Sequence, residues 1–315
     1  MIVFSFFCFI KSSRIVIMND LINTFLNFIK NEKRFSIHTQ KSYRNDLLQF
    51  YNYVQKDFGI ENLKNVKYDM VRSWVVSLLE NGLSERTVNR KLSSLRSFYK
   101  YLVQKTEITE NPVGNIKALK QKKRLPTFVK QESMNRLFER SFYPEDFVGE
   151  RDRMIISMLY YTGMRLSELI ELKQIAINNK EIKVFGKGAK ERIIPISESF
   201  YQIIKEYIQL KENNFSKTTE YFLVTDKGQK MYEKFVFRKV NHYLSLVTTQ
   251  KKRSPHVLRH TFATQMLSNG ADLNAVKELL GHESLMATQV YTHNSLEKLK
   301  GIYKQSHPRS EKKQD

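Results

Sequence analysis

Cysteine is almost missing from this sequence, since Cys8 is the only one among 315 residues. That count excludes a disulfide framework and a cysteine-based zinc site, and it is typical of a reducing compartment. Long apolar runs are missing too: the run within residues 1–17 is too short to cross a bilayer, and its positive charges follow it. We interpret residues 1–17 as a start-site extension or a disordered leader before a start at Met18, rather than as a membrane anchor, and expect a cytoplasmic protein.

Acidic residues are scarce relative to basic ones, with 32 Asp and Glu against 53 Lys and Arg and a formal net charge of +21. A surplus of this size indicates a protein that binds a polyanionic partner, rather than one that is merely basic and soluble. Hydrophobic residues make up 41% and aromatic residues 12% of the chain, which excludes a disordered polymer. The length is sufficient for two domains with their own cores.

The pattern of residues 18–112 predicts four helices joined by short loops, which favours a compact bundle. Asp69 is expected to cap the third helix, and Ser84 to open a fourth helix over Glu85–Val103. The apolar stripe of the fourth helix consists of Val88, Leu92, Leu95, Phe98 and Leu102.

Basic residues on the fourth helix are offset only by Glu85, which favours phosphate contact over a merely solvated face. The predicted DNA contacts on this helix are Arg86, Arg90, Lys91 and Arg96. Residues 113–126 predict a basic linker that either crosses a DNA backbone or is a solvated spacer. Its predicted DNA contacts are Lys122, Lys123 and Arg124.

The pattern of residues 127–315 is mixed, and we expect one domain with helices and a β-hairpin. The expected helices are Gln131–Arg140, Arg151–Tyr161 and Arg165–Leu172, and the expected strands are Glu181–Phe185 and Arg192–Ile196. Glycines flank Lys187 at the hairpin tip and let the backbone approach a ligand closely, so this lysine could reach into a groove. The alternative is a lysine that is only solvated. Lys190 and Arg192 are further predicted DNA contacts.

Arg165 belongs to a motif that follows a helix. Gly163 suits the C-terminus of that helix, and Arg165 should lie in the first turn of the next one. Glu168 would share its face and could hold the guanidinium in place. A common surface ion pair would give the same pattern.

Residues 254–260 predict an anion site at the start of a helix. Ser254 is a good N-cap and Pro255 a good first helical residue. His256 and Arg259 then lie on one face of a helix N-terminus, where the dipole favours an anion. The alternative is a structural histidine beside a surface arginine.

Two further motifs lie near the end of the sequence. Asp272 should cap a helix that ends at Gly281 and leaves His282 just beyond it. Ser284 should begin a helix that reaches Tyr291. A tyrosine is more often a core or surface residue than a nucleophile, so this motif alone decides nothing.

In their order along the chain, these motifs resemble the signature of the tyrosine recombinases, most closely of the bacterial Xer type. The residues that carry the resemblance are Arg165, Lys187, His256, Arg259, His282 and Tyr291. The resemblance extends over residues 18–308, and no member of the signature is missing. It implies a mainly α fold with a small β-hairpin, in which a four-helix SAM-like core-binding domain precedes a mixed α/β catalytic domain.

The resemblance also implies the chemistry. Tyr291 would attack a DNA phosphodiester and form a 3′-phosphotyrosyl bond, and Lys187 would protonate the departing 5′ oxygen. The two arginines and two histidines would supply hydrogen bonds to the phosphate, and one histidine would help to remove the phenolic proton. Neither a metal nor another cofactor would be needed. Exchange through a Holliday junction implies a tetramer on a double-stranded recombination site, with or without a sister recombinase.

Apolar residues after Tyr291 recur at helical spacing among lysines. They are Leu296, Leu299, Ile302 and Tyr303. A helix of this kind could pack on its own domain. The resemblance implies instead that it docks on a neighbouring protomer, because strand exchange needs four active sites around two duplexes.

For the function, the resemblance favours a Xer-type recombinase that resolves chromosome dimers and so serves chromosome partition at cell division. A mobile-element integrase or an invertase of the same family is the alternative, and the lack of an evident arm-binding domain favours the Xer type. Other classes are a type IB topoisomerase, a DNA-binding regulator without catalysis and, more distantly, a phosphatase. A regulator would explain the charge but not the placement of Lys187, His282 and Tyr291.

Overall fold

The computed structural model describes residues 20–121, 128–186, 191–215, 219–281, 301–303 and 305–306. The chain divides into two compact units, Met1–Arg124 and Leu125–Asp315. Among the helices in the described ranges, none has the length and apolar character needed to cross a membrane. Several predictions fall outside these ranges: the leader, the hairpin tip, the helix from Ser284, and the residues Lys122, Lys123, Arg124, Lys187, Lys190, His282 and Tyr291.

The described part of the first unit is helical, as predicted. Its helices are α1 (20–31), α2 (Ile37–Phe58), α3 (Tyr68–Glu80) and α4 (Glu85–Gln104). Ser36 caps α2 and Ser84 caps α4. Each serine side chain accepts the backbone N–H of the residue three positions later in the sequence. The expected cap at Asp69 is wrong, because α3 already begins at Tyr68 and the N-cap position is occupied by Lys67. Asp69 lies instead in the first turn, where the helix dipole still favours a carboxylate.

Aromatic side chains form much of the core of the first unit. Phe50 and Trp74 meet edge to face with ring centroids 4.9 Å apart, and both are fully buried. The hydroxyl of Tyr99 donates to the carbonyl of Leu63 at 3.0 Å, so its polar end is satisfied inside the core. The predicted stripe of α4 is buried along its whole length, which confirms the face of this helix that packs inward.

The second unit mixes helices with a hairpin. Its elements are α5 (Gln131–Leu137), α6 (Phe147–Thr162), α7 (Leu166–Glu171), β1 (Glu181–Phe185), β2 (Glu191–Pro195), α8 (Glu198–Asn214), α9 (Glu233–Val247), α10 (Pro255–Ser268) and α11 (Leu273–Leu280). β1 and β2 pair antiparallel, with Glu181 opposite Pro195 and Phe185 opposite Glu191. The predicted hairpin is confirmed, with its second strand one residue earlier than expected.

Helix α6 is the centre of the second unit. Residues 154–162 are all buried, and the helix packs against α8, α9 and α10. A helix that is covered on nearly every side must end within the protein, so its last carbonyls need partners there. The end of α6 is where the candidate active site begins.

Candidate active site

Gly163 turns the chain at the end of α6. Its φ of +59° lies in the left-handed region, and a Cβ there would come within 2.5 Å of the ring of Phe262. A glycine is therefore required both by the backbone and by the space. Arg165 is the residue just before α7, with extended backbone, and not in its first turn as predicted.

Glu168 binds Arg165 in two ways. Its carboxylate accepts the backbone N–H of Arg165 at 2.6 Å and the guanidinium Nη1 at 2.7 Å. The predicted contact between these two side chains is present, and it closes the N-terminus of α7 at the same time. The side chain of Arg165 remains about one third exposed, so it can still meet a ligand.

The same carboxylate binds a second arginine. Nη1 and Nη2 of Arg192 donate to the two oxygens of Glu168 at 2.7 and 2.8 Å, inside the protein. Burial alone would raise the pKa of Glu168, but the hydrogen bonds and charge of Arg192, and then the bonds from Arg165, hold this pKa at about 2. Glu168 is therefore ionised throughout the physiological range.

Arg259, on α10, is the third guanidinium of the cluster and is 9% exposed. It donates to the carbonyl of Gly163 at the end of α6 at 2.5 Å. Burial, followed by the positive charges of Arg165 and Arg192, lowers the pKa of Arg259 to about 10. The guanidinium stays protonated at neutral pH, and an anion placed here would relieve the repulsion.

The last two carbonyls of α11 and the carbonyl of Gly281, which follows it, bind the three arginines. Each of three consecutive carbonyls accepts from a different side chain: Leu279 from Arg192 Nε at 2.9 Å, Leu280 from Arg259 Nη2 at 2.5 Å, and Gly281 from Arg165 Nη2 at 2.5 Å. Terminal carbonyls lack intrahelical partners and form the negative end of the helix dipole, so cations bind them well. The end of α11, from which the chain continues to His282 and Tyr291, is thereby fixed to β2, α10 and the start of α7.

His256 is the second residue of α10, after Pro255 at the first position as predicted. Ser254 is at the N-cap position, but its side chain makes no capping hydrogen bond. His256 is exposed, and Arg259 lies about one helical turn later. Helix α10 thus presents an exposed imidazole near a buried guanidinium, at the end of a helix that favours anions.

The predicted DNA contacts on α4 differ in their surroundings. Arg86 is exposed. Arg90 is exposed, but it donates two bonds to the buried carboxylate of Asp46. Arg96 donates to the carbonyl of Ile116. Direct DNA contact therefore stays a prediction for these three arginines, with Arg86 the least constrained.

Lys91 and Arg192 require a correction. The ammonium of Lys91 is buried and donates to Asp46 at 2.9 Å and to Gln49 at 2.5 Å. Arg192 is buried between Glu168 and the end of α11, and β-strand alternation could have indicated this. Arg192 shares a strand face with Ile194, which is fully buried. Both side chains are internal, so their positions argue against direct contact with DNA.

The described tail residues pack on their own unit. Tyr303 is fully buried, and its hydroxyl donates to the carbonyl of Tyr161 at 3.0 Å. Asn269 donates to the carbonyl of Ser306 at 2.7 Å. Around Tyr303 lie apolar side chains of α10 and α11. The single chain thus adopts the first of the two arrangements considered for the tail.

Comparisons with known sequences cover both units. The profile described as the phage integrase family matches residues 127–298, and the profile of the phage integrase N-terminal SAM-like domain matches residues 22–106. Tyrosine recombinase XerC of Staphylococcus carnosus is 38% identical over 297 residues, which cover 94% of this chain and 99% of that protein. Tyrosine recombinase XerC of Chlorobaculum parvum is 35% identical over 312 residues, which cover 90% of this chain and 93% of that protein.

Solved structures share the fold. The XerH site-specific recombinase bound to palindromic difH substrate, in a post-cleavage complex, gives a TM-score of 0.69 at 24% identity and covers 90% of this chain and 80% of that chain. A lambda integrase dimer bound to a COC′ core site gives a TM-score of 0.66 at 15% identity and covers 86% of this chain and 98% of that chain. The sequence matches establish that the chain belongs to the phage integrase family, the tyrosine recombinases.

Proposed function

We propose that this chain is a Xer-type site-specific recombinase, which cuts and rejoins double-stranded DNA through a 3′-phosphotyrosyl intermediate and a Holliday junction. The observation that carries the proposal is the cluster of three guanidinium groups around Glu168 and the end of α11. An electropositive site fixed in this way can bind the negative charge of a phosphodiester and stabilise the further charge that builds up during attack.

Arg165 and Arg259 would bind the non-bridging oxygens of the phosphate. Each guanidinium has five N–H groups, and the contacts to carbonyls and to Glu168 described above use two of them. The remaining donors can reach a phosphate while these contacts hold the plane of each group. His256, exposed at the start of α10, would add a hydrogen bond to the same phosphate. Donors fixed in advance stabilise the charge that builds up during attack without reorganising.

Tyr291 would be the nucleophile and Lys187 the general acid. The phenol oxygen bonds to phosphorus as the bond from phosphorus to the 5′ oxygen breaks, and Lys187 gives the leaving oxygen its proton. A phenol with an ordinary pKa of about 10 needs a base, and His282 would assist with that proton. The 5′-hydroxyl of a second strand then reverses the step, so the energy of the broken linkage is kept in the phosphotyrosyl bond.

The relatives indicate the biological role. Proteins named XerC are 35–38% identical to this chain over nearly its whole length, whereas the Tn1549 transposon integrase is 20% identical with a TM-score of 0.65. This difference favours the Xer type over a mobile-element integrase or an invertase. By this similarity the chain would act in the cytoplasm on the chromosome, in resolution of chromosome dimers and their partition at cell division.

The assembly would be a tetramer on DNA. The lambda integrase has been solved as a dimer on a core site and as a tetramer on a Holliday junction, with a TM-score of 0.64 for the latter. We infer that two pairs of protomers, alone or with a sister recombinase, bring four sites around two duplexes. The tail that holds Tyr303 would then leave its own domain and dock on a neighbour.

Mapping of covalent protein–DNA adducts across the native chromosome tests the proposal. We expect enrichment at one chromosomal site, and strand exchange between two duplexes that carry this site. Adducts at the ends of a mobile element would favour the integrase alternative. Relaxation of supercoiled DNA without exchange would indicate a topoisomerase, and binding without any adduct would indicate a regulator.

A further inference from the structure

Arg192 uses all three of its nitrogens inside the protein. Nη1 and Nη2 bind the two oxygens of Glu168, and Nε donates to the carbonyl of Leu279 at 2.9 Å. The side chain is 5% exposed. A Cβ on Gly281 would lie 3.2 Å from Arg192 Cδ and 3.3 Å from Nη1, so Gly281 packs against the side chain of Arg192.

These contacts connect three segments that are distant in sequence. Arg192 belongs to β2, the strand that leaves the hairpin tip with Lys187. Glu168 is the residue that holds the catalytic candidate Arg165. Leu279 lies at the end of α11, just before the chain continues to His282 and Tyr291. A single side chain therefore meets both the support of one phosphate-binding arginine and the start of the segment with the nucleophile.

We propose that Arg192 is a positioning residue for strand cleavage, which fixes Arg165 through Glu168 and the end of α11 through the carbonyl of Leu279. The inference rests on the recombinase function proposed above. Arg192 does not touch the phosphate in this role. It holds the groups that do, and its loss would leave them in the site but out of place.

Only arginine can make this set of contacts. Its planar fork binds a carboxylate with two parallel N–H groups while Nε points to a third acceptor, whereas lysine offers one compact ammonium. Arg192→Lys keeps the charge and most of the volume, but its ammonium cannot bind both Glu168 oxygens and the Leu279 carbonyl in this geometry. This variant separates geometry from charge, and Arg192→Met removes both.

Arg151 provides a matched control in the same unit. It is fully buried, and its Nε and Nη2 donate to Asp152 at 2.9 and 2.8 Å, so Arg151→Lys disturbs an equally enclosed ion pair. Arg151 lies near the start of α6, roughly 18 Å along the helix from Gly163 at the rise of about 1.5 Å per residue. Arg151→Lys should therefore lower the stability of the protein without displacing the groups of the active site.

The experiment measures single-turnover cleavage of a nicked suicide duplex that carries the site mapped by wild-type adducts. We expect Arg192→Lys to cleave about 10- to 100-fold more slowly, by analogy with the loss of the partners that orient metal ligands. DNA binding and the Tm should stay near those of Arg151→Lys, whose cleavage should stay within about twofold of wild type. Cleavage by Arg192→Lys within twofold of wild type overturns the inference. Absence of any wild-type adduct overturns the recombinase function as well.

Two further readouts exclude a merely structural role. In a duplex with a 5′-bridging phosphorothiolate the leaving group is a thiolate, which needs no proton from Lys187. The Arg192→Lys defect should persist on this duplex. Its disappearance would show that Arg192 acts only through the general acid Lys187 and would contradict the inference. Arg192→Met combined with Glu168→Gln should be no slower than the slower single variant, because both act through one contact. Multiplication of the two defects would contradict this.

Discussion

Arg259 donates a 2.5 Å hydrogen bond to the carbonyl of Leu280, the last residue of α11. The contact joins the helix that presents His256 to the helix from which the chain runs toward Tyr291. Because Arg259 also binds the carbonyl at the end of α6, three helices meet at one buried guanidinium. A phosphate-binding group held in this way loses little freedom on meeting its ligand, which is the basis of preorganised electrostatic catalysis.

Removal of one phosphate-binding arginine should affect cleavage more than binding. We expect Arg165→Ala and Arg259→Ala each to slow adduct formation by about 10²–10³-fold, the usual cost of losing one such donor, while duplex binding changes little. Arg140→Ala is the control, because this arginine is largely exposed in a surface pair with Glu150. Cleavage rates of both site variants within a few-fold of Arg140→Ala would contradict the assignment.

Glu168 should make the stability of the protein depend on pH in the acid range. Its pKa of about 2 lies below the ordinary 4.5, so the ionised carboxylate stabilises the fold above pH 4.5, and this contribution is lost as the pH falls toward 2. The shift corresponds to roughly 3 kcal/mol at neutral pH. Urea unfolding should show Glu168→Gln less stable by about this amount at pH 7, with the difference from wild type shrinking below pH 4.5.

The control for this prediction is Glu171→Gln. Glu171 is mostly exposed and pairs with Lys230 at the surface, where such pairs contribute at most about 1 kcal/mol. The unfolding free energy of Glu171→Gln should stay within about 1 kcal/mol of that of wild type at every pH. A Glu168→Gln variant with the same curve as Glu171→Gln would show that the buried carboxylate does not stabilise the fold.

Gly163 offers a test of how the turn before Arg165 is built. Gly163→Ala places a methyl group within 2.5 Å of Phe262 at a φ of +59°, so both backbone strain and a clash oppose it. Gly270→Ala is the matched variant, since its φ is +87° but nothing lies within 4 Å of a Cβ there. We expect about 1–2 kcal/mol of destabilisation from the backbone in both, and about 1–3 kcal/mol more in Gly163→Ala. Equal unfolding free energies would contradict the described packing.

Tyr303 should hold the tail on its own domain in the free protein. Tyr303→Ala removes a fully buried ring and its bond to the carbonyl of Tyr161, so the tail should become sensitive to limited proteolysis while the rest of the unit resists. The same variant should bind one site but assemble poorly into tetramers if the ring also anchors the tail on a neighbour. Ile175→Ala is the control, because Ile175 is almost fully exposed. Unchanged proteolysis of Tyr303→Ala would rule out the described docking.

Local signals in the sequence were sufficient for most of the described elements and for the contact between Arg165 and Glu168. Gly163, Pro255 and Asp272 mark helix ends by their own backbone or side-chain chemistry, and each is found at such an end. The contact of Arg165 with Glu168 followed from a spacing of three residues. Periodicity also located the buried face of α4.

The remaining features depend on tertiary contacts that no local pattern contains. Arg165 meets the carbonyl of Gly281 across 116 positions of the chain, and a backbone acceptor leaves no trace in residue types. The predicted DNA contact at Arg192 is one of these features, because arginine is exposed in most proteins and is buried only when it is paired. Arg192 shares a strand face with Ile194, and this alternation indicates a buried side chain. Only the position of Glu168 explains how the charge of Arg192 can be buried there.

The most direct test of the proposed function is covalent capture of DNA by Tyr291. Wild-type protein on a nicked suicide duplex of the mapped site should form an adduct that survives denaturing gel electrophoresis. Tyr291→Phe should bind the same duplex with nearly unchanged affinity and form none. An adduct of undiminished yield from Tyr291→Phe would show that another residue attacks the phosphate, and the proposed mechanism would be wrong.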